Sequence, residues 1–259
     1  MSSQKRVKAI KHGPVVSFLA PVVFGLILFL GWFFTANAPG VKTWVLPSPS
    51  AFIQRFSTEI KNPVLWHAVW TTAQEALLGC LVGAIVALPL AYLIYRSQTL
   101  AAAVEPFLGA TQAIPAIALA PLLMLWVGYG TLPIVVLCAL MVFFPILVSA
   151  TLGFRHLDSE VLDAARLDGA DGWKMLVYME APLALYAILA GLRNGFTLSV
   201  TGAVVGEMVM GGHGLGLVLT SQRNSVDTVG MFVAISLLCV MAMTAYSVLY
   251  AIERRFRRG

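Results

Sequence analysis

The sequence predicts an all-α membrane protein: six transmembrane helices with one long polar loop on the cytoplasmic side. Three observations predict it. The chain is 59% hydrophobic and only 11% charged, whereas soluble domains run at roughly 25% charged. Apolar runs long enough to cross a bilayer recur along it. One stretch, Glu160 to Pro182, is polar and helix-forming inside this apolar background. A bilayer core offers backbone groups no water partners, so helix is the form expected of the apolar runs. About 20 residues suffice for a crossing.

A basic tail, 1–14, carries Lys5, Arg6, Lys8 and Lys11. Residues 13–41 then contain no Asp, Glu, Lys or Arg. That run exceeds the ~7–15 residues of a secretory signal core, so it reads as an uncleaved first span, 15–36. A polar segment follows, 37–63, with a Pro-rich start (Val45-Leu-Pro-Ser-Pro-Ser50) and an amphipathic pattern from Ala51 to Ile60. The second span is 72–95, ending at Arg96; Glu75 near its start reads as structural. Residues 106–154 hold no charge at all. As one helix they would run about 73 Å at 1.5 Å per residue, more than twice the bilayer. They must form a hairpin, and Gly128-Tyr-Gly-Thr-Leu-Pro133 is its turn. The spans are then 104–127 and 132–153. The fifth is 183–208, with Arg193 inside it, and the sixth is 228–252. A basic tail, 253–259, closes the chain. Pro89, Pro115, Pro121 and Pro145 predict kinks within spans.

Lysines and arginines set the orientation. Six spans place both termini on one side. Lys5, Arg6, Lys8, Lys11, Arg96, Arg155, Arg166, Lys174, Arg254, Arg255, Arg257 and Arg258 share that side. Only Lys42, Arg55, Lys61 and Arg223 lie opposite. Twelve against four makes both termini and the polar insert cytoplasmic. The net charge of +5 therefore reflects topology and not nucleic-acid binding.

The insert has the marks of an organised element. Asp158 to Glu160 favour a helix start, since acids suit the first turn. Val161, Ala164, Ala165 and Leu167 supply helix propensity, and the small residues Ala164, Ala165 and Gly169 let another surface approach. Gly169 breaks the helix, Ala170 to Met179 suggests a second short one, and Pro182 marks the return to the membrane. The bland alternative is a solvated linker. Long loops are usually functional or disordered, and this one lacks the Ser, Gly and Pro of disorder.

Here the chain resembles a known family. Asp163-Ala164-Ala165, three residues, Gly169, nine residues, then Met179-Glu-Ala-Pro182 is similar to the "EAA" loop of permease subunits in ABC importers. Asp163, Met179 and Ala181 stand where that pattern has Glu, Ile and Leu. Further likeness runs over roughly 44–255: Leu46-Pro-Ser-Pro49, Ile114-Pro115, Pro121 to Gly130, Phe144-Pro145, and Gly206-Glu207 with Gly214-Leu-Gly216. These resemble the nitrate/sulfonate/taurine group of permeases, which includes importers of thiamine pyrimidine precursors and riboflavin. The resemblance implies a type I importer permease, with a coupling helix around Ala164 to Asp171 seated in a cleft of an ATP-binding subunit. Asp163, Ala164, Ala165, Asp168, Gly169, Ala170 and Pro182 are the implied coupling residues. It also implies two cytoplasmic ATPase subunits holding ATP and Mg, an external solute-binding protein and a second permease copy.

Arg193 is the one Lys or Arg deep in a span. Such charges face a cavity or a partner, so it is a pathway residue that meets an anionic solute, half of an interhelical pair, or a side chain snorkelling toward the cytoplasmic side. Glu207, near the outer end of the fifth span, lines the gate of the pathway, meets the solute-binding protein, or is an interfacial anchor. Gly211-Gly-His-Gly-Leu-Gly216 has no preceding strand, so it reads as an external turn and not a phosphate loop. No Walker-type loop occurs elsewhere, and no catalytic, cofactor or metal residues are expected; His67, His156 and His213 are scattered. Cys80, Cys138 and Cys239 read as small core residues. Gly79/Gly83, Gly191/Gly195 and Gly202/Gly206 are small-residue packing faces, within the bundle or across a dimer. The rival function classes are a stand-alone secondary transporter or channel, and an intramembrane enzyme. The first lacks a set of intramembrane ion ligands and has no use for the insert. The second lacks paired acids or a His cluster.

Overall fold

The fold comes from a computed structural model that describes residues 14–112 and 115–256. Lys5, Arg6, Lys8, Lys11, Ile114, Arg257 and Arg258 lie outside the described residues. Among those described, the regular structure is helical. Helix α1 (Pro14–Ala36) and the short α2 (Pro49–Glu59) precede the long α3 (Pro63–Arg96). Then come α4 (Gln98–Gln112), α5 (Ala116–Val127) and α6 (Thr131–Arg155). The insert carries α7 (Ser159–Leu167) and α8 (Gly172–Met175), and a π-helical turn (Leu176–Glu180) leads into α9 (Ala181–Met210). Helices α10 (Leu215–Asn224) and α11 (Thr228–Phe256) complete the chain.

Five of these stretches are long and apolar enough to cross a membrane, and α5 is a shorter apolar helix. Local chemistry sets most boundaries. Ser48 and Asn62 cap α2 and α3, each followed by proline at the first helical position, where its missing N–H costs nothing. The hairpin turn falls at Gly128 (φ 100°) and Gly130 (φ 109°), left-handed backbone that glycine tolerates. Two expectations shift. The second span starts at Pro63, nine residues before 72, because Leu65 and Ala68 are buried against Leu215, Val233 and Leu237. The third span is not one helix. It divides into α4 and α5 around Pro115, the N-cap of α5. Pro89, Pro121 and Pro145 sit inside α3, α5 and α6 without ending them.

Helix α6 is the axis of packing, and the small-residue faces converge on it. A side chain at Gly79 would run into Cys138 Cβ, and one at Gly83 would meet Ala139 O at 2.9 Å. Both positions advance together, so α3 runs parallel to α6. On the other flank Gly191 meets Ser149, Gly195 meets Val142, Gly202 meets Cys138 and Gly206 meets Ile134. That order runs backwards, so α9 is antiparallel to α6. These faces therefore pack within the chain, where lipid gives no hydrophobic drive and close backbone approach must supply the contact. Parallel α3 and α6 require the chain to recross between them, which α4 and α5 accomplish. Cys80 and Cys138 are buried in this core, but Cys239 is exposed. The outward face of α11 thus differs from the core placement expected for all three cysteines. Helix α1 leaves its apolar side chains exposed; its Trp32 reaches Pro47 O at 3.0 Å and stacks on Phe232.

Candidate functional site

The insert folds as a small unit with its own core. Asp158 caps α7 by accepting from Glu160 N–H at 2.9 Å. At the other end Gly169 (φ 85°) lets the chain reverse. Gly169 N–H donates to Arg166 O at 3.0 Å, and Ala170 N–H donates to Ala165 O at 2.9 Å. These are the paired bonds of a Schellman cap. Asp171 then accepts from Gly172 N–H at 2.7 Å to start α8. Leu162, Ala165 and Met175 are buried together, with Leu157, Ala170 and Met179 packed around them. The helix therefore ends at Leu167, so only the first half of the 164–171 segment implied by the resemblance is helical. The expected second helix exists only as α8 and its π-helical turn, continuous with α9.

Ala164, Ala165, Asp168, Gly169 and Ala170 line one open hollow of about 560 Å³, joined by Lys174 and Tyr178. Asp163 stands apart, with its carboxylate 2.6 Å from Arg166, and Pro182 sits in the first turn of α9. Ala164 is exposed, whereas Ala165 is buried, so the two alanines do different work. Ala165 is not part of a surface face; its small size lets α7 lie on Met175. The sequence reading passed over the most exposed apolar groups. Leu167 is 90% exposed, Trp173 76% and Tyr178 74%. The signal was present: large apolar residues in a charged segment, at positions that the helix cannot bury.

Arg193 finds its partner on α11. Its guanidinium is 2.9 Å from Glu253 and lies over the rings of Tyr246 and Tyr250, at 4.9 and 5.7 Å. The pair is the interhelical arrangement that the sequence left open beside a pathway role. Arg193→Ala is expected to destabilise the protein in detergent by about 1–3 kcal/mol, less than the ~3–5 of a fully buried pair, because the two side chains keep 18% and 23% exposure. Restoration of the melting temperature by Arg193→Ala combined with Glu253→Gln is the check. A single variant that melts like the parent refutes the tie.

Glu207 is fully buried. Thr72 Oγ donates to its Oε1 at 2.7 Å, and Gly216 N–H donates to its Oε2. Leu215 N–H in turn donates to Thr72 Oγ at 2.8 Å. The glycine-rich turn is moulded round this carboxylate, since a side chain at Gly214 would overlap Glu207 and Thr72. The carboxylate thereby fastens the start of α10 to α3 and α9. Glu75, also buried, faces it from α3, well inside the helix and not at its opening. Thr72 and Glu75 were missed as partners of Glu207, because nothing local marks which residue of α3 meets α9.

The family described as "Binding-protein-dependent transport system inner membrane component" matches residues 79–258, a span that includes the whole insert. The riboflavin transport system permease protein RibX of Chloroflexus aurantiacus is 36% identical over 96% of this chain and 92% of its own length. The formylaminopyrimidine transport permease protein ThiX of Halalkalibacterium halodurans is 28% identical over 91% of this chain and 93% of its own. In fold, the chain resembles an inward-facing structure of the MetNI methionine ABC transporter, with a TM-score of 0.69 and 19% identity over 76% of this chain and 98% of that one. A multi-pass helical chain, an ordered polar insert and this match over most of its length lead to one conclusion: the protein belongs to the binding-protein-dependent transport system inner membrane components, and is a permease subunit of an ABC importer.

Proposed function

We propose that the insert, 154–182, is the docking element for two cytoplasmic ATPase subunits, one for each copy in a homodimer of this chain. The observation that carries this is the set of large apolar side chains that the insert holds in water, Leu167, Trp173 and Tyr178, with Tyr178 lining the hollow formed by Ala164, Asp168, Gly169 and Ala170. Apolar side chains held in water on a folded loop are expected at an interface. Asp163, Ala165 and Pro182 act beneath and beside that surface by shaping it. Residues 15–252 form one permease unit, with both termini cytoplasmic as the lysine and arginine asymmetry indicates. Solute arrives on an external binding protein. ATP and Mg sit in the partner subunits, and their closure drives the pathway from inward to outward access. The geometry around Arg193 and Glu207 supports ties between helices more than pathway lining. Riboflavin is the first solute to try, because a riboflavin permease is 36% identical across nearly the whole chain.

The test starts from the purified chain. It should show no saturable binding of a fluorescent ATP analogue, whereas its complex with the ATPase subunit should hydrolyse ATP. Faster turnover with the loaded binding protein completes the expected result. Saturable nucleotide binding by this chain alone would sink the assignment of roles.

A further inference from the structure

Glu180 is the one acid of the insert that is fully buried. It sits at the end of the π-helical turn, where the insert joins α9. Its partners belong to the cytoplasmic end of α3. The hydroxyl of Tyr95 donates to Oε1 at 3.4 Å, and Arg96 Nη1 lies 3.9 Å from the same oxygen. Tyr92 stands beside the carboxylate as well. Oε2 is buried with no hydrogen bond. A buried acceptor left open is costly. The contacts that exist are long beside the ~2.7–2.9 Å of a tight charge-assisted bond. The bond set has room to close further if the insert moves toward α3.

The insert is built as one body. Its core of Leu162, Ala165 and Met175 and its Schellman cap hold α7 and α8 together. The chain joins it to α6 on one side and to α9 on the other, and Glu180 ties it to α3. Helix α3 then runs 34 residues, about 51 Å at 1.5 Å per residue. At its far end Thr72 bonds Glu207, and Leu65 and Ala68 pack on α10 and α11. A displacement imposed on α3 at Arg96 therefore reaches the opposite face through a single helix.

We propose that Glu180 is a positioning residue for energy coupling: it clamps the insert to α3 through Tyr95 and Arg96, so that movement of the docked insert is carried to the opposite face. This rests on the insert being the docking element.

The experiment uses the complex of this chain with its ATPase subunit in lipid nanodiscs. The exposed Cys239 is replaced by Ser. An environment-sensitive fluorophore is placed on Val64→Cys, which is 70% exposed at the far end of α3. MgATP should change its emission in the parent complex. Glu180→Ala should lower that change roughly fivefold or more, the scale at which coupling between two sites begins to be read, with ATPase co-purification unaltered. Glu180→Gln, which keeps an acceptor for Tyr95, should retain most of the change. An unaltered emission change per intact Glu180→Ala complex overturns the proposal and leaves Glu180 a packing residue. Loss of ATPase co-purification in Glu180→Ala also overturns it, by making the residue part of docking. A parent complex that turns over ATP with no emission change overturns it too, because α3 then carries no motion. Failure of the docking reading shows separately, as a Leu167→Asp chain that still captures the ATPase.

Discussion

Leu167→Asp should abolish capture of the ATPase subunit while leaving the permease folded. Leu167 is 90% exposed on the last turn of α7, beside the hollow lined by Asp168 and Gly169. In the free chain it gains nothing from packing, so its replacement should cost little stability. In a complex it would be desolvated, and buried apolar anchors at interface centres are worth about 2 kcal/mol or more each. That loss weakens binding roughly 30-fold, and the new carboxylate would have to be desolvated in the interface as well. Ala165→Arg should fail differently. Ala165 is 7% exposed beneath α7, so a guanidinium there forces α7 off Met175 and unfolds the insert. Hydrogen exchange across 158–175 separates the two: unchanged for Leu167→Asp, fast for Ala165→Arg. An ATPase pull-down at the parental level with Leu167→Asp removes the insert from the interface.

Gly79→Val should produce a large loss of stability at the contact between α3 and α6. A Cβ at that site would overlap Cys138 Cβ and press on Val135 O at 3.1 Å and Ala139 N at 3.2 Å. These neighbours are backbone or the root of a side chain, and neither can swing away. Overpacking a core costs about 1–3 kcal/mol when side chains can adjust; here α3 and α6 must separate, so the cost lies at or above the upper end. Gly31→Val is the matched control, since nothing lies within 4 Å of its added Cβ. Size-exclusion melting in detergent should show a clear drop for Gly79→Val and little change for Gly31→Val. Equal melting curves would mean that α3 and α6 are not in close contact.

The site was legible in outline because its signals are local. Asp158 caps a backbone N–H two residues on and Gly169 turns the chain by its own positive φ, so the helix start and its break could be read from spacing. The roles of the alanines could not. Ala164 and Ala165 are neighbours with the same propensity, and only the fold of α7 onto Met175 makes one a surface and the other a floor. Nothing in the residues beside Glu180 marks it as buried. Its burial depends on Tyr95 and Arg96, which lie on another helix.

The order of residues alone carries the apolar runs, the hairpin at Gly128 to Gly130, the charge asymmetry and the spacing of the insert. Each follows from composition or from periodicity along one segment. The tertiary structure alone decided that the three glycine faces meet on α6, that Pro115 divides the third span, that Glu207 fastens the α10 turn, and that Arg193 is held by Glu253. The physical reason is common to all four. A side chain's environment is set by which other helix stands beside it, and in an apolar chain many pairings satisfy the same local pattern. Only close packing of whole helices selects among them.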